Sequence, residues 1–175
     1  DGILNVRRED AIVGEEGTSR DGTSGVRWVI DPIDGTTNFV YRIPALGVSI
    51  AAEVGDRIVA GAVYDPSRRR LYSAGLGQGA SVDRSPISCS SPLGLATSLV
   101  ATGFGYGAPQ RQAQAEVLVT LLPLVRDIRR FGSAALDLCA VAEGAVDAYY
   151  ERGLNHWDLA AGVLIAAEAG AKVGD

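Results

Sequence analysis

The sequence predicts an α+β or layered α/β fold, and three observations predict it. Short apolar runs bounded by Gly, Asp and Pro fill the first half of the chain. Segments with helical apolar spacing come only after residue 110, where they alternate with short strands. The apolar share of 47% and charged share of 21% are those of an ordinary globular chain with a core to bury.

Each element has its own signal. Ala11-Ile12-Val13 is a short strand that runs into Gly14-Glu15-Glu16-Gly17, and GTSRDGTSG (17–25) is a small polar loop. Trp28 to Ile30 is a second strand. VSIAAEV, the turn Gly55-Asp56 and RIVAGAVYD make a hairpin, and after the turn DPSRR the stretch RLYSAGLGQGASV continues as a strand with glycine bulges or open turns. Leu99-Val100-Ala101 is a further strand. Val117, Leu118, Leu121, Leu122 and Val125 recur at helical spacing within 110–128, with Pro123 as a kink or interruption. Ser133 can cap a helix through SAALDLCAVAE that Gly144 ends. AVDAYYE alternates as a strand, and WDLAAGVLIAAEAG forms the last helix, with Asp158 in its first turn and Gly170 as its stop.

Composition excludes some functions. The 175 residues suit one domain, and the net charge of −5 gives no bulk attraction to nucleic acid or anionic lipid. No apolar run of membrane-spanning length or signal-peptide layout is present, so the expectation is a cytoplasmic protein without a membrane partner. Cys89 and Cys139 form no CxxC pair and are expected to be reduced and buried. The chain has no Met and stops where a helix would hand over to a strand, so we expect it to be incomplete at both ends.

The stretch WVIDPIDGTTNF carries the chemistry. Asp31 ends a strand, and Pro32 biases it to extended geometry, fixing Asp31 and Asp34 on a stiff link. DP and DG are common turn formers, so solvated turn acids are the alternative. Acids flanked by Trp28-Val29-Ile30 and Ile33 are costly unless paired or metal-bound. Glu15 and Glu16 repeat the pattern of an apolar strand, a glycine and acids, and Asp158 gives a third acidic position. Taken alone, Glu15 is a loop acid and Asp158 a helix-dipole acid. Yet no Lys or Arg lies within 28–41 or 154–171 to neutralise them. An all-oxygen carboxylate set suits Mg²⁺, with Mn²⁺ possible. With one histidine, a zinc site is not expected, and His156 is assigned packing or support of a ligand. Gly35 lets backbone approach a ligand closely, and Thr36-Thr37 can open a short helix facing an anion or simply cap it.

DPIDGTTNF together with WDLAAGVLIAAEAG resembles the two signatures of the inositol monophosphatase family, and IVGEEG matches a third segment. FGSAALDLC and DAYYERGLNHWD follow in order, so the similarity covers nearly the whole chain and is most like the bacterial SuhB-like branch. The resemblance implies an α/β/α/β/α layered sandwich whose N-terminal helices are missing from this chain. It also implies two or three Mg²⁺ ions, lithium sensitivity and a homodimer. By residue, it implies Glu15, Asp31, Asp34, Asp158 and the carbonyl of Ile33 as metal ligands, with Glu15 and Thr36 orienting the attacking water. Gly35 and Thr36 amides would bind phosphate, Glu151 would bind ring hydroxyls, and Ser133 and Ala134 would line the sugar pocket. The implied activity is metal-dependent hydrolysis of inositol monophosphate or a similar polyol phosphate. Two metals about 3.5–4 Å apart stabilise both attacking and leaving oxygens of such a displacement. The DxxDGT spacing does not fit the DxDGT pattern of phosphatases with a nucleophilic aspartate.

Related families that use fructose bisphosphate, histidinol phosphate or nucleotide phosphates are alternatives. So is a regulatory protein of the same fold with a partner in RNA metabolism. Arg68-Arg69-Arg70 is read as a solvated turn, with a phosphate or partner site as the alternative, and Arg126, Arg129 and Arg130 are given structural placements, with a subunit interface or the pocket edge as alternatives.

Overall fold

A computed structural model describes residues 2–17 and 19–174. A short helix α1 (Gly2–Val6) precedes strands β1 (Ala11–Gly14) and β2 (Val26–Asp34). Helix α2 (Thr36–Tyr41) follows, then β3 (Gly47–Val54), β4 (Arg57–Asp65), β5 (Arg70–Gly75), β6 (Ala80–Val82) and β7 (Ser85–Ile87). The second half alternates: β8 (Leu99–Thr102), α3 (Ala108–Leu121), β9 (Asp127–Arg129), α4 (Ala134–Ala142), β10 (Ala148–Tyr150) and α5 (His156–Glu168).

Strands β1 to β7 form one sheet in sequence order, antiparallel except for the β1–β2 pair. The second sheet has order β10-β8-β9 and is parallel, with α3 and α4 as its crossovers. One face of the large sheet, with Val29, Ala51, Val63 and Tyr72, buries against Ala161 and Ile165 of α5 and Ala135 and Leu138 of α4. Small residues let these layers close. A Cβ on Gly61 would sit 3.0 Å from the Ala161 Cα, and one on Gly162 would sit 2.8 Å from Leu138 Cβ. The far side of α4 meets the small sheet through Val141, Ala101 and Val146. The result is the layered α+β fold the sequence predicts. On the outer face of the large sheet, Tyr64 and Leu71 stay exposed. No helix is long and apolar enough to cross a membrane among the described residues.

Three segments differ from expectation. The helix expected over 110–128 ends at Leu121, because Pro123 lacks the donor a further turn needs. Of its five apolar positions, Val125 is buried, Leu118 and Leu121 are half-buried, and Val117 and Leu122 are exposed, while Gln114 is the fully buried residue of α3. Asp127–Arg129 is strand β9. The single strand expected over 70–82 is a hairpin, β5 and β6, turned at residues 76–79. Strand β2 extends beyond Ile30 to Asp34, so both aspartates lie within the strand rather than on a turn after it.

Candidate active site

Side chains three apart on a regular strand point to opposite faces. Asp31 and Asp34 escape this because the β2–β3 register shifts between them: Asp31 pairs Ser49, but Asp34 pairs Gly47. Both carboxylates then sit in the interior, 1% and 8% exposed. Parallel pairing of β1 with β2 sets Gly14 beside Ile30, and the next residue, Glu15, comes alongside Asp31. Asp158 arrives from the first turn of α5, where its Oδ2 accepts the Asn155 N–H at 2.6 Å in a capping box.

Asp31, Asp34 and Asp158 each offer a carboxylate oxygen, all within 4.8 Å of one another. Asp34 Oδ2 accepts from the Ser133 hydroxyl and the Ala135 N–H, both at 2.6 Å, at the N-terminus of α4. Asp31 Oδ1 accepts the Ile33 N–H at 2.9 Å. Burial raises the Asp34 carboxyl to about 6, with Asp158 adding to the rise, although the Ser133 and Ala135 donors oppose it. Burial, then Asp34 and Glu15, push Asp31 up, and burial pushes Asp158 up. Crowded acids of this kind prefer protons or a cation. Their all-oxygen donor set and lack of an ion-pair partner among the described residues fit a hard divalent ion.

The cluster forms one wall of a cavity of about 170 Å³. Of the residues expected from sequence, Glu15, Asp31, Ile33, Asp34, Gly35, Thr36, Ala134, Glu151 and Asp158 all line it. Ser133 does not. It is buried, donating to Asp34 and accepting the Leu136 N–H at 3.3 Å as the α4 cap, so it supports a carboxylate instead of lining a sugar pocket. Gly35 has φ +96°, and a Cβ there would meet the carbonyls of Gly132 and Ala45 at 3.0 and 3.1 Å. The helix expected from Thr36-Thr37 is α2, and Thr36 Oγ1 donates to the Ile33 carbonyl at 3.3 Å. On the opposite wall, Glu151 Oε2 accepts from the Tyr149 hydroxyl at 2.6 Å, and burial raises the Glu151 carboxyl.

Sequence reasoning missed part of this wall. Phe104, Gly105, Tyr106 and Gln110 line the cavity, as does Arg130, which was given a structural placement. The glycine-spaced aromatics of TGFGYG (102–107) were the available signal. His156 stands apart from the aspartates; its Nε2 is 2.9 Å from Glu53 Oε2, and Glu53 also pairs with Arg27, so the first residue of α5 is tied to β3. Arg70 is not a solvated turn residue either: it pairs with Glu143 at 2.6 Å over the Tyr72 ring. Cys139 is buried and Cys89 half-buried, both free.

Comparison with known proteins agrees with this geometry. The profile of the inositol monophosphatase family matches residues 1–175. The inositol-1-monophosphatase SuhB of Mycobacterium tuberculosis is 52% identical over 182 residues, 99% of this chain and 63% of that protein. A solved Mycobacterium tuberculosis SuhB superposes with TM-score 0.91 at 53% identity, over 98% of this chain and 69% of that one. The Nus factor SuhB of Haemophilus influenzae is 44% identical over 94% of this chain and 62% of its own length. An inositol monophosphate-bound SaIMPase-II matches with TM-score 0.84 at 33% identity, over 97% of this chain and 66% of that one. The chain thus spans 63% of the length of the curated mycobacterial relative. Fold, signature residues and family profile coincide, and the chain belongs to the inositol monophosphatase family.

Proposed function

We propose that the protein is a Mg²⁺-dependent phosphomonoesterase that hydrolyses inositol monophosphate or a similar polyol phosphate. One observation carries this reading: aspartates from β2 and α5 meet within 4.8 Å on the wall of a cavity that also holds Gly35, Thr36 and Glu151. Asp31, Asp34 and Asp158, with the Ile33 carbonyl and Glu15, would hold the divalent ions. When bound, these ions activate water and neutralise charge on the phosphoryl oxygens.

The chain's own residues do the rest. The Ser133 and Ala135 donors fix Asp34 Oδ2 and leave its other oxygen free as a ligand. Glu15 and the Thr36 hydroxyl would orient the attacking water. The backbone at Gly35, on the cavity wall in a positive-φ conformation that glycine allows, would approach the phosphate. Glu151, held by Tyr149, accepts hydrogen bonds from ring hydroxyls. This division matches phosphoryl transfer, which needs positioning and charge neutralisation more than covalent help. The solved relative bound to inositol monophosphate supports the substrate class.

The test is a phosphate-release screen over inositol 1-phosphate, fructose bisphosphate, histidinol phosphate and a nucleotide monophosphate, with Mg²⁺ titrated and Li⁺ added. We expect Mg²⁺-dependent, Li⁺-inhibited turnover that is fastest on the inositol ester. Asp34→Asn should abolish it with the fold intact, since the amide oxygen still accepts from Ser133 and Ala135.

A second reading, a partner-binding regulator of the same fold, is favoured by the relative named Nus factor SuhB. Regulatory function that survives in the Asp34→Asn chain, with no turnover in the parent on any ester, would select it. The homodimer and the cytoplasmic location belong to the first reading, and sedimentation of the whole protein tests the dimer.

A further inference from the structure

Helix α3 is exposed along most of its length, yet it buries one polar side chain, Gln114, to 6% exposure. Both ends of that carboxamide are used. Its Oε1 accepts the Gly105 N–H at 2.9 Å, and its Nε2 lies 3.3 Å from the Arg152 carbonyl, to which it donates. Gln110, one turn earlier, donates to the same carbonyl at 3.1 Å. These contacts join two segments of different origin: the loop after β8, which carries Phe104 and Tyr106, and the loop after β10, which follows Glu151.

The first loop is held besides by Arg111, whose Nη1 donates to the Gly105 carbonyl at 3.4 Å and to the Tyr106 carbonyl, both from the exposed side of α3. Its glycines contribute no side-chain packing, and Tyr106 is 80% exposed. A Cβ on Gly103 would overlap the Glu151 carboxylate, and one on Gly105 would overlap the Gln110 carboxamide. A buried amide is costly unless its partners need it, and leucine would serve simple helix packing better. Arg111 bonds the first loop alone, whereas buried Gln114 bonds both loops and so sets where the aromatic loop stands relative to Glu151.

Resting on the phosphatase reading above, we infer that the Gly103–Gly107 loop is the specificity wall of the pocket and that Gln114 is its positioning residue. The aspartates take the phosphate end of the substrate. Glu151 takes ring hydroxyls, and Phe104 and Tyr106 take the C–H face of a cyclic polyol. The ligand class this selects is a ring-bearing polyol monophosphate over an acyclic phosphomonoester.

The test compares inositol 1-phosphate with glycerol 2-phosphate, using the whole Mg²⁺-loaded protein. Gln114→Leu should raise the KM ratio of the cyclic to the acyclic ester about tenfold, the size expected for losing positioned contacts, with kcat moving far less. Gln114→Glu keeps the acceptor for Gly105 but loses the donor to Arg152 and should fall between. Tyr106→Ala, a change at an exposed side chain, should raise the same ratio if Gln114→Leu does not fold. Mn²⁺ affinity, read by calorimetry, should not follow the ratio. Both KM values rising together, or an unchanged ratio in folded variants, would overturn the inference alone. A parent protein that hydrolyses neither ester would overturn the phosphatase reading, and this inference with it.

Discussion

The Ser133 hydroxyl donates to Asp34 Oδ2 at 2.6 Å, tying the N-cap of α4 to the bulged end of β2. One side chain thereby caps a helix and presets a carboxylate. Ser133→Ala should cost about 1 kcal/mol of stability from the lost cap and should raise the Asp34 carboxyl further. Thermal unfolding checks the first effect, and the pH dependence of Mn²⁺ binding checks the second. Binding should shift to higher pH with no loss of maximum stoichiometry.

Stability of the cation-free protein should fall as pH rises through about 6. Asp34 is raised from 3.8 to about 6, so the folded state holds a proton that the unfolded state has released, and its contribution is lost as pH climbs through that window. Asp31 and Asp158 shift in the same direction. For Asp34 alone the effect is about 3 kcal/mol at most. Melting curves between pH 4 and 8 in chelator should show the decline, and saturating Mg²⁺ should remove it.

The packing behind the site should transmit to it. Gly61 faces Ala161 with no room for a side chain, and α5 carries Asp158 three residues before that contact. Gly61→Val should destabilise by about 1–3 kcal/mol and weaken Mn²⁺ binding, because α5 must move off β4. A melting temperature and a calorimetric titration of the same variant check both effects.

Contiguous segments were legible in the sequence, and long-range placements were not. DPIDG and WD announced their acids because local propensity and chemistry agree there: Pro32 extends the strand, and Asp158 completes a cap. The bulge that turns Asp31 and Asp34 to one side depends on the partner strand β3, which the order of residues in β2 does not encode. Ser133 was legible as a helix cap, and the family resemblance put it on the pocket wall; its contact with Asp34, which spans 99 residues, follows from neither. The helix expected over 110–128 ran past its end because Val125 continued the helical spacing beyond Pro123, and apolar spacing gave no sign that the buried residue of α3 is a glutamine reaching a loop.

Substitution of Glu53 should separate anchoring from chemistry. Its carboxylate joins Arg27 of β2 to His156 at the start of α5. His156→Gln can retain a hydrogen bond to Glu53, whereas Glu53→Ala leaves both partners without it. We expect Glu53→Ala, and not His156→Gln, to lower the melting temperature by several degrees, which a thermal scan of both variants reads directly.

Calorimetric Mn²⁺ titration of the parent protein and of Asp31→Asn, Asp34→Asn and Asp158→Asn tests most directly whether the three carboxylates share an ion. We expect saturable binding by the parent that weakens about tenfold or more in each variant while the fold is retained. A parent that takes up no ion, or folded variants that bind as the parent does, would contradict a shared ion site.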